Sequence, residues 1–171
     1  MRDDQNGAGP SRTVSGMDAA EAVDHVAIGA LQAAYGDAVT RRDWPAVVAL
    51  FAPDATVTLD LGRGEPRVLG PVELAAFVEE AIGRFDLFLF TVLNRVVLSV
   101  DGDDARGRVW LAEVRQDHEG VASTAYGRYD DTYRRTGGTW RIAGRRYRSV
   151  ARTAPAGADA AVEVVPPDAA G

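Results

Sequence analysis

The chain contains no cysteine, which excludes thiol nucleophiles, disulfides and thiolate zinc sites. Lysine is absent too. All 19 basic residues are therefore arginine, and neither Schiff-base chemistry nor a phosphate loop built on lysine is open to it. His25 and His118 are the two imidazoles, and they do not stand at metal-ligand spacing, so no metal site is expected. Against the 19 arginines stand 25 acidic residues, a net charge of −6 with no basic cluster, and no nucleic-acid partner is expected. No apolar run approaches the roughly 20 residues that span a bilayer. Residues 1–16 also lack the apolar core of a secretion signal, so a cytoplasmic protein without membrane contact is expected.

What is present suffices for one domain. The 171 residues are 46% hydrophobic, enough for a closed core. Residues 1–17 are polar and rich in Gly, Ser and Asp, and residues 154–171 are low in complexity with repeated Pro and Gly. Both read as tails around a domain over 18–153. Within the second tail, only the VEVV stretch at 162–165 has the pattern of an edge strand.

Asp18 with Glu21 three residues later resembles a capping box, and apolar residues recur at Val23, Val26, Ala27, Ala30, Leu31, Ala34 and Ala38. This predicts a first helix. Asp43 and Pro45 predict a short second helix over 46–51, ended by Ala52-Pro53. Residues 56–61 alternate as a strand, 66–69 return beside it, and Gly70-Pro71 opens a third helix. From Phe88 the period becomes two, with strands expected over 88–100, 105–115, 121–134 and 139–150, joined by short turns. Three helices, a small hairpin and a curling antiparallel meander describe an α+β domain with its helices on one sheet face.

Alternation sorts each strand into two faces. In 121–134 the inward set runs Val121, Ser123, Ala125, Gly127, Tyr129, Asp131 and Tyr133, which places Asp131 between two tyrosines on an apolar face. A carboxyl placed so can exchange protons near neutral pH. In 88–100 the set containing Phe88, Phe90, Val92 and Val96 has Asn94 as its single polar member, an amide in want of a partner or ligand. On the first helix, Tyr35 stands four residues from Leu31 and three from Ala38, so its ring reaches the sheet and its hydroxyl a pocket.

The runs ALFAPDATV, VDGDDA, GRYDD and WRIAGR, in this order of elements, resemble a SnoaL-like polyketide cyclase domain of the nuclear transport factor two superfamily. The resemblance covers about 23–150. It implies a cone in which a curved antiparallel or mixed sheet wraps a long helix around an apolar cavity, often dimerised through the outer sheet face. It implies action on hydrophobic small molecules without a cofactor, as in cyclases, isomerases and dehydratases. Tyr35 matches the tyrosine that donates to a substrate oxygen in isomerase-like members, and Asp131 matches the inward acid of the penultimate strand. Asn94 matches the asparagine of a histidine-to-asparagine strand pattern whose histidine position holds Phe90. Leu59 stands where the isomerase base belongs, and Asp60 has the outward parity.

The expected function is thus acid/base proton transfer on a hydrophobic carbonyl or polyketide-like compound, with Asp131 and Tyr35 catalytic and Asn94, Phe90, Tyr129, Leu59 and Arg145 around the substrate. The alternative is a noncatalytic ligand-binding or dimeric scaffold protein, in which Asp131 is paired with an arginine such as Arg145 or hydrogen-bonded by Tyr35. A third is a partner of a larger iron-containing oxygenase subunit. Glu113 shares the parity of Val109 and Leu111 but falls near an expected strand end, where solvent would reach it.

Overall fold

A computed structural model describes residues 16–154 and 161–165; the remainder of the two expected tails lies outside the described residues. Helix α1 (Ala19–Thr40) begins where Asp18 Oδ1 accepts from the Glu21 amide at 2.8 Å. Its buried face differs from the expected one. Val23 and Val26 are exposed, while Asp24, Ile28, Leu31, Gln32 and Tyr35 point inward. The stripe is rotated because polar partners wait inside: Asp24 accepts from Arg135 Nη1 at 2.7 Å and Trp140 Nε1 at 3.0 Å, and Gln32 Nε2 donates to the Tyr133 hydroxyl at 2.6 Å.

Helix α2 (Trp44–Ala49) is capped by Asp43, whose Oδ1 accepts from the Ala46 amide at 3.1 Å. It ends earlier than expected, and strand β1 (Phe51–Asp60) starts at once. Phe51 already pairs with Ile142, and Pro53 falls in the irregular stretch between that pair and Thr56. Strand β2 (Arg67–Leu69) returns antiparallel to β1. Helix α3 (Pro71–Ile82) starts at Gly70, whose amide donates to Glu73 Oε2 at 2.8 Å, and it buries Leu74, Ala75 and Ile82.

Strands β3 (Phe85–Asp101), β4 (Asp104–Asp117), β5 (Ala122–Thr136) and β6 (Thr139–Thr153) form the antiparallel meander; β3 and β4 run past both expected ends, and β5 and β6 past their C-terminal ends. Gly137 and Gly138, with φ of 59° and 79°, supply the left-handed two-residue turn between Thr136 and Thr139. Strand β7 (Val162–Val164) pairs antiparallel with β6, and β1 joins the other part of β6 in parallel. The sheet order is β2-β1-β6-β5-β4-β3, a curved mixed sheet with the helices on its concave side.

Strand β3 corrects one expectation about its faces. Register shifts between Val92 and Asn94 and between Val97 and Ser99 insert extra residues, and each reverses the alternation. Phe88, Phe90 and Val92 face the core, but past the first bulge Val97 packs inward, Arg95 Nη1 donates to the Gly29 carbonyl at 3.1 Å, and Asn94 is exposed.

Candidate active site

The concave face of the sheet, α1 and α3 leave a cavity of about 310 Å³. Its apolar walls come from Val57 and Leu59 on β1, Leu74 and Phe77 on α3, and Phe88 and Phe90 on β3. The register of β5 orders the polar groups along it. Asp131 faces Arg145, Tyr129 faces Tyr147, Gly127 faces Ser149, and Ala125 stands between Glu113 and Arg152. Gly127 is required here: a Cβ on it would lie 2.3 Å from Cε2 of Tyr147, whose ring crosses the sheet at this point.

At the inner end, Arg145 and Asp131 form a bidentate pair, Nε to Oδ1 at 2.8 Å and Nη2 to Oδ2 at 2.7 Å. Tyr133 donates to Asp131 Oδ2 at 2.8 Å and itself accepts from Gln32. The Arg145 guanidinium lies between two rings, 3.8 Å from the Tyr129 centroid and 4.2 Å from that of Tyr35. Burial opposes its charge, yet the attraction and hydrogen bonds of Asp131 raise its pKa above the ordinary arginine value. Arg145 Nη1 is buried with no hydrogen-bond partner among the described residues. The Tyr129 ring meets that of Tyr35 edge-on, centroids 5.9 Å apart, and burial first, then the neighbouring Tyr35, pushes its pKa well above that of a free phenol. Its hydroxyl therefore stays protonated and able to donate.

Five expected pocket residues line the cavity: Tyr35, Leu59, Phe90, Tyr129 and Arg145. Two do not. Asn94 is turned out by the bulge in β3, and Asp131, 3% exposed, lies behind Arg145 with its oxygens taken by Arg145 and Tyr133. Asp60 keeps the outward parity, accepting from the Gly62 amide at 3.0 Å beside Arg148 at 3.7 Å.

The carboxyl on the cavity wall is Glu113. Strand β4 runs on to Asp117, so Glu113 sits inside the strand, opposite Phe90 on one side and Ala125 on the other. Desolvation raises its pKa above the usual carboxylate value, against the pull of Arg115 Nη1 at 3.6 Å. Its parity with Val109 and Leu111 was the available signal, and the underestimated strand length concealed it. Tyr147, Ser149, Arg115 and Arg152 also line the cavity. Among the described residues no cluster of three or more His, Cys, Asp or Glu could hold a metal ion. No helix of the described chain is long and apolar enough to cross a membrane.

N-terminal helices packed on a curved, open mixed sheet define the nuclear transport factor two-like fold. Within it, residues 20–146 match the SnoaL-like domain, and the chain belongs to that family. Similar solved structures include a Novosphingobium aromaticivorans protein provisionally named an aromatic ring hydroxylase, 27% identical with a TM-score of 0.64 over 75% of this chain and 90% of that one. A protein of the same species provisionally named scytalone dehydratase is 19% identical, with a TM-score of 0.69 over 88% and 96% of the two chains. The hexachlorocyclohexane dehydrochlorinase LinA-type3 of Novosphingobium barchaimii is 21% identical, with a TM-score of 0.65 over 83% and 94%. No curated protein matches the chain.

Proposed function

We propose that the protein is a small-molecule enzyme that moves a proton on a hydrophobic carbonyl or polyketide-like compound, in a cyclisation, isomerisation or elimination, with no cofactor. The observation that carries this reading is Glu113, a desolvated carboxyl on the wall of an apolar cavity. Glu113 takes a proton from carbon next to the carbonyl, the C–H electron pair becomes the enolate double bond, and negative charge gathers on oxygen. That oxygen sits by the Tyr35 and Tyr129 hydroxyls, with the Arg145 cation behind them. The protonated Glu113 then returns its proton to another carbon, or the enolate closes a ring on a second carbonyl, whose C=O π pair moves to oxygen and takes the proton from Glu113. Asp131 acts here as a positioning residue: its two hydrogen bonds fix the guanidinium that supports the tyrosines. Leu59 and Phe90 supply apolar contact with the guest.

The test uses 2-tetralone, a bicyclic ketone with acidic protons beside its carbonyl, in D₂O. The wild type speeds deuterium incorporation, and Glu113→Gln lowers the rate about 100-fold or more. Equal exchange in the two proteins refutes the assignment. One observation favours the noncatalytic reading: Asp131 is neutralised by Arg145, as in a ligand-binding protein. Binding of 2-tetralone without any acceleration by the wild type selects that reading.

The outer sheet face supports a homodimer. Leu89, Leu93 and Leu98 of β3 and Trp110 of β4 are all exposed there, and large apolar side chains grouped on one sheet face suit association with a second copy.

A further inference from the structure

The end of the cavity opposite Arg145 carries more positive charge than the structure neutralises. Arg84 and Arg115 lie over the Phe85 ring, 4.8 and 5.2 Å from its centroid, and Arg152 enters from β6 on the rung of Glu113 and Ala125. Against these three cations the cavity wall offers one carboxylate, Glu113, at 3.6 Å from Arg115. Arg152 reaches the Leu61 carbonyl through Nη2 at 3.1 Å, and its Nε lies 4.0 Å from Glu163 of β7, an exposed side chain that also meets Arg63 at 3.4 Å. The Nε atoms of Arg115 and Arg152 are both buried with no hydrogen-bond partner among the described residues. Such donors cost free energy unless an acceptor meets them.

Burial lowers the Arg115 pKa, Glu113 opposes this, and the nearby Arg84 and Arg152 lower it further. The cluster is thus mutually repulsive, and its three cations meet two carboxylates, Glu113 and the exposed Glu163, which Arg63 shares. It is also local, since the chain as a whole carries −6. A cation-rimmed cavity in an acidic protein draws a small anion while leaving the rest of the surface repulsive to it.

We propose that this end of the cavity is an anion subsite and that the natural guest is a hydrophobic carboxylate, its apolar body among the aromatic walls and its carboxylate held by Arg115 between Arg84 and Arg152. The inference rests on the proposed reading of the cavity as a small-molecule site, and it names the class of guest. A planar monoanion suits the guanidinium fork. A phosphate dianion would set two negative charges near the Glu113 carboxylate. Bound so, the carboxylate anchors one end of the guest and leaves its middle beside Glu113.

Equilibrium binding of 2-naphthoate and of 2-naphthamide, equal in shape and different in charge, tests the subsite. The carboxylate is expected to bind about tenfold or more tightly than the amide. Arg115→Gln removes most of that preference, and the exposed Arg84→Gln, which leaves the core untouched, reduces it in the same direction. Equal binding of acid and amide by the wild type, or full preference in both variants, overturns the proposal. The measurement needs no turnover, so it separates from the exchange assay. Loss of exchange in Glu113→Gln without acid preference removes the subsite alone, and acid preference without exchange removes the proton-transfer chemistry alone.

Discussion

Replacing Asp131 by asparagine strips a buried cation of its partner while keeping nearly the same shape. The Asp131 side chain is fully buried and that of Arg145 is 2% exposed, so water cannot replace what is lost. Breaking a buried pair from one side costs about 3–5 kcal/mol. Two features place this case near the lower bound: the Tyr35 and Tyr129 rings still flank the guanidinium, and the new amide oxygen still accepts one hydrogen bond. A loss of about 3 kcal/mol is a large share of the 5–15 kcal/mol that holds an ordinary domain together, and it lowers Tm by roughly 6–12 °C. Urea unfolding followed by fluorescence of the three tryptophans measures it directly. The double variant Asp131→Asn with Arg145→Met removes the orphaned charge and is expected to recover at least half of the loss. A single-variant loss below about 1 kcal/mol, or a double variant less stable than Asp131→Asn alone, would falsify the claim that this pair is a closed structural unit.

Two other expectations follow from the cavity and the sheet. Because desolvation raises the folded-state pKa of Glu113, the folded protein keeps that proton to higher pH than the unfolded chain. The stability it contributes is complete below the unfolded value of about 4.3 and is lost as pH rises through the folded value. Glu113→Gln is therefore more stable, relative to the wild type, at pH 7 than at pH 4; urea midpoints at the two pH values show this, and a gap of opposite sign refutes the burial of Glu113. On the outer face, light scattering after size exclusion is expected to give twice the 18.2 kDa chain mass for the wild type, and Leu93→Asp or Leu98→Asp to shift it toward the monomer. A monomeric wild type removes the dimer.

How far the site could be read from the chain depends on whether alternation survives. In β5 it runs unbroken from Ser123 to Tyr133, and the tyrosines and Asp131 fall on the expected face. In β6 the same parity carries Arg145, Tyr147 and Ser149 to the inner face. In β3 it fails, because nothing in FTVLNRVVLSV marks where the extra residue of a bulge goes. The hydrophobic stripe of α1 misleads for a related reason: its core face includes Asp24 and Gln32, whose partners are more than 100 residues away.

By itself the sequence determined the element types, the α+β class, the family resemblance and most of the inward-facing residues, since capping pairs, turn glycines and period-two strands are local properties of the chain. Only the tertiary structure decided which acid meets the cavity. Asp131 and Glu113 lie on inward faces of neighbouring strands, and their fates diverge through contacts across the sheet. Arg145 and Tyr133 close over the first, while Arg115, at 3.6 Å, leaves the second on the cavity wall. Solvation and charge at a buried group depend on what packs beside it, and that is settled when distant segments meet.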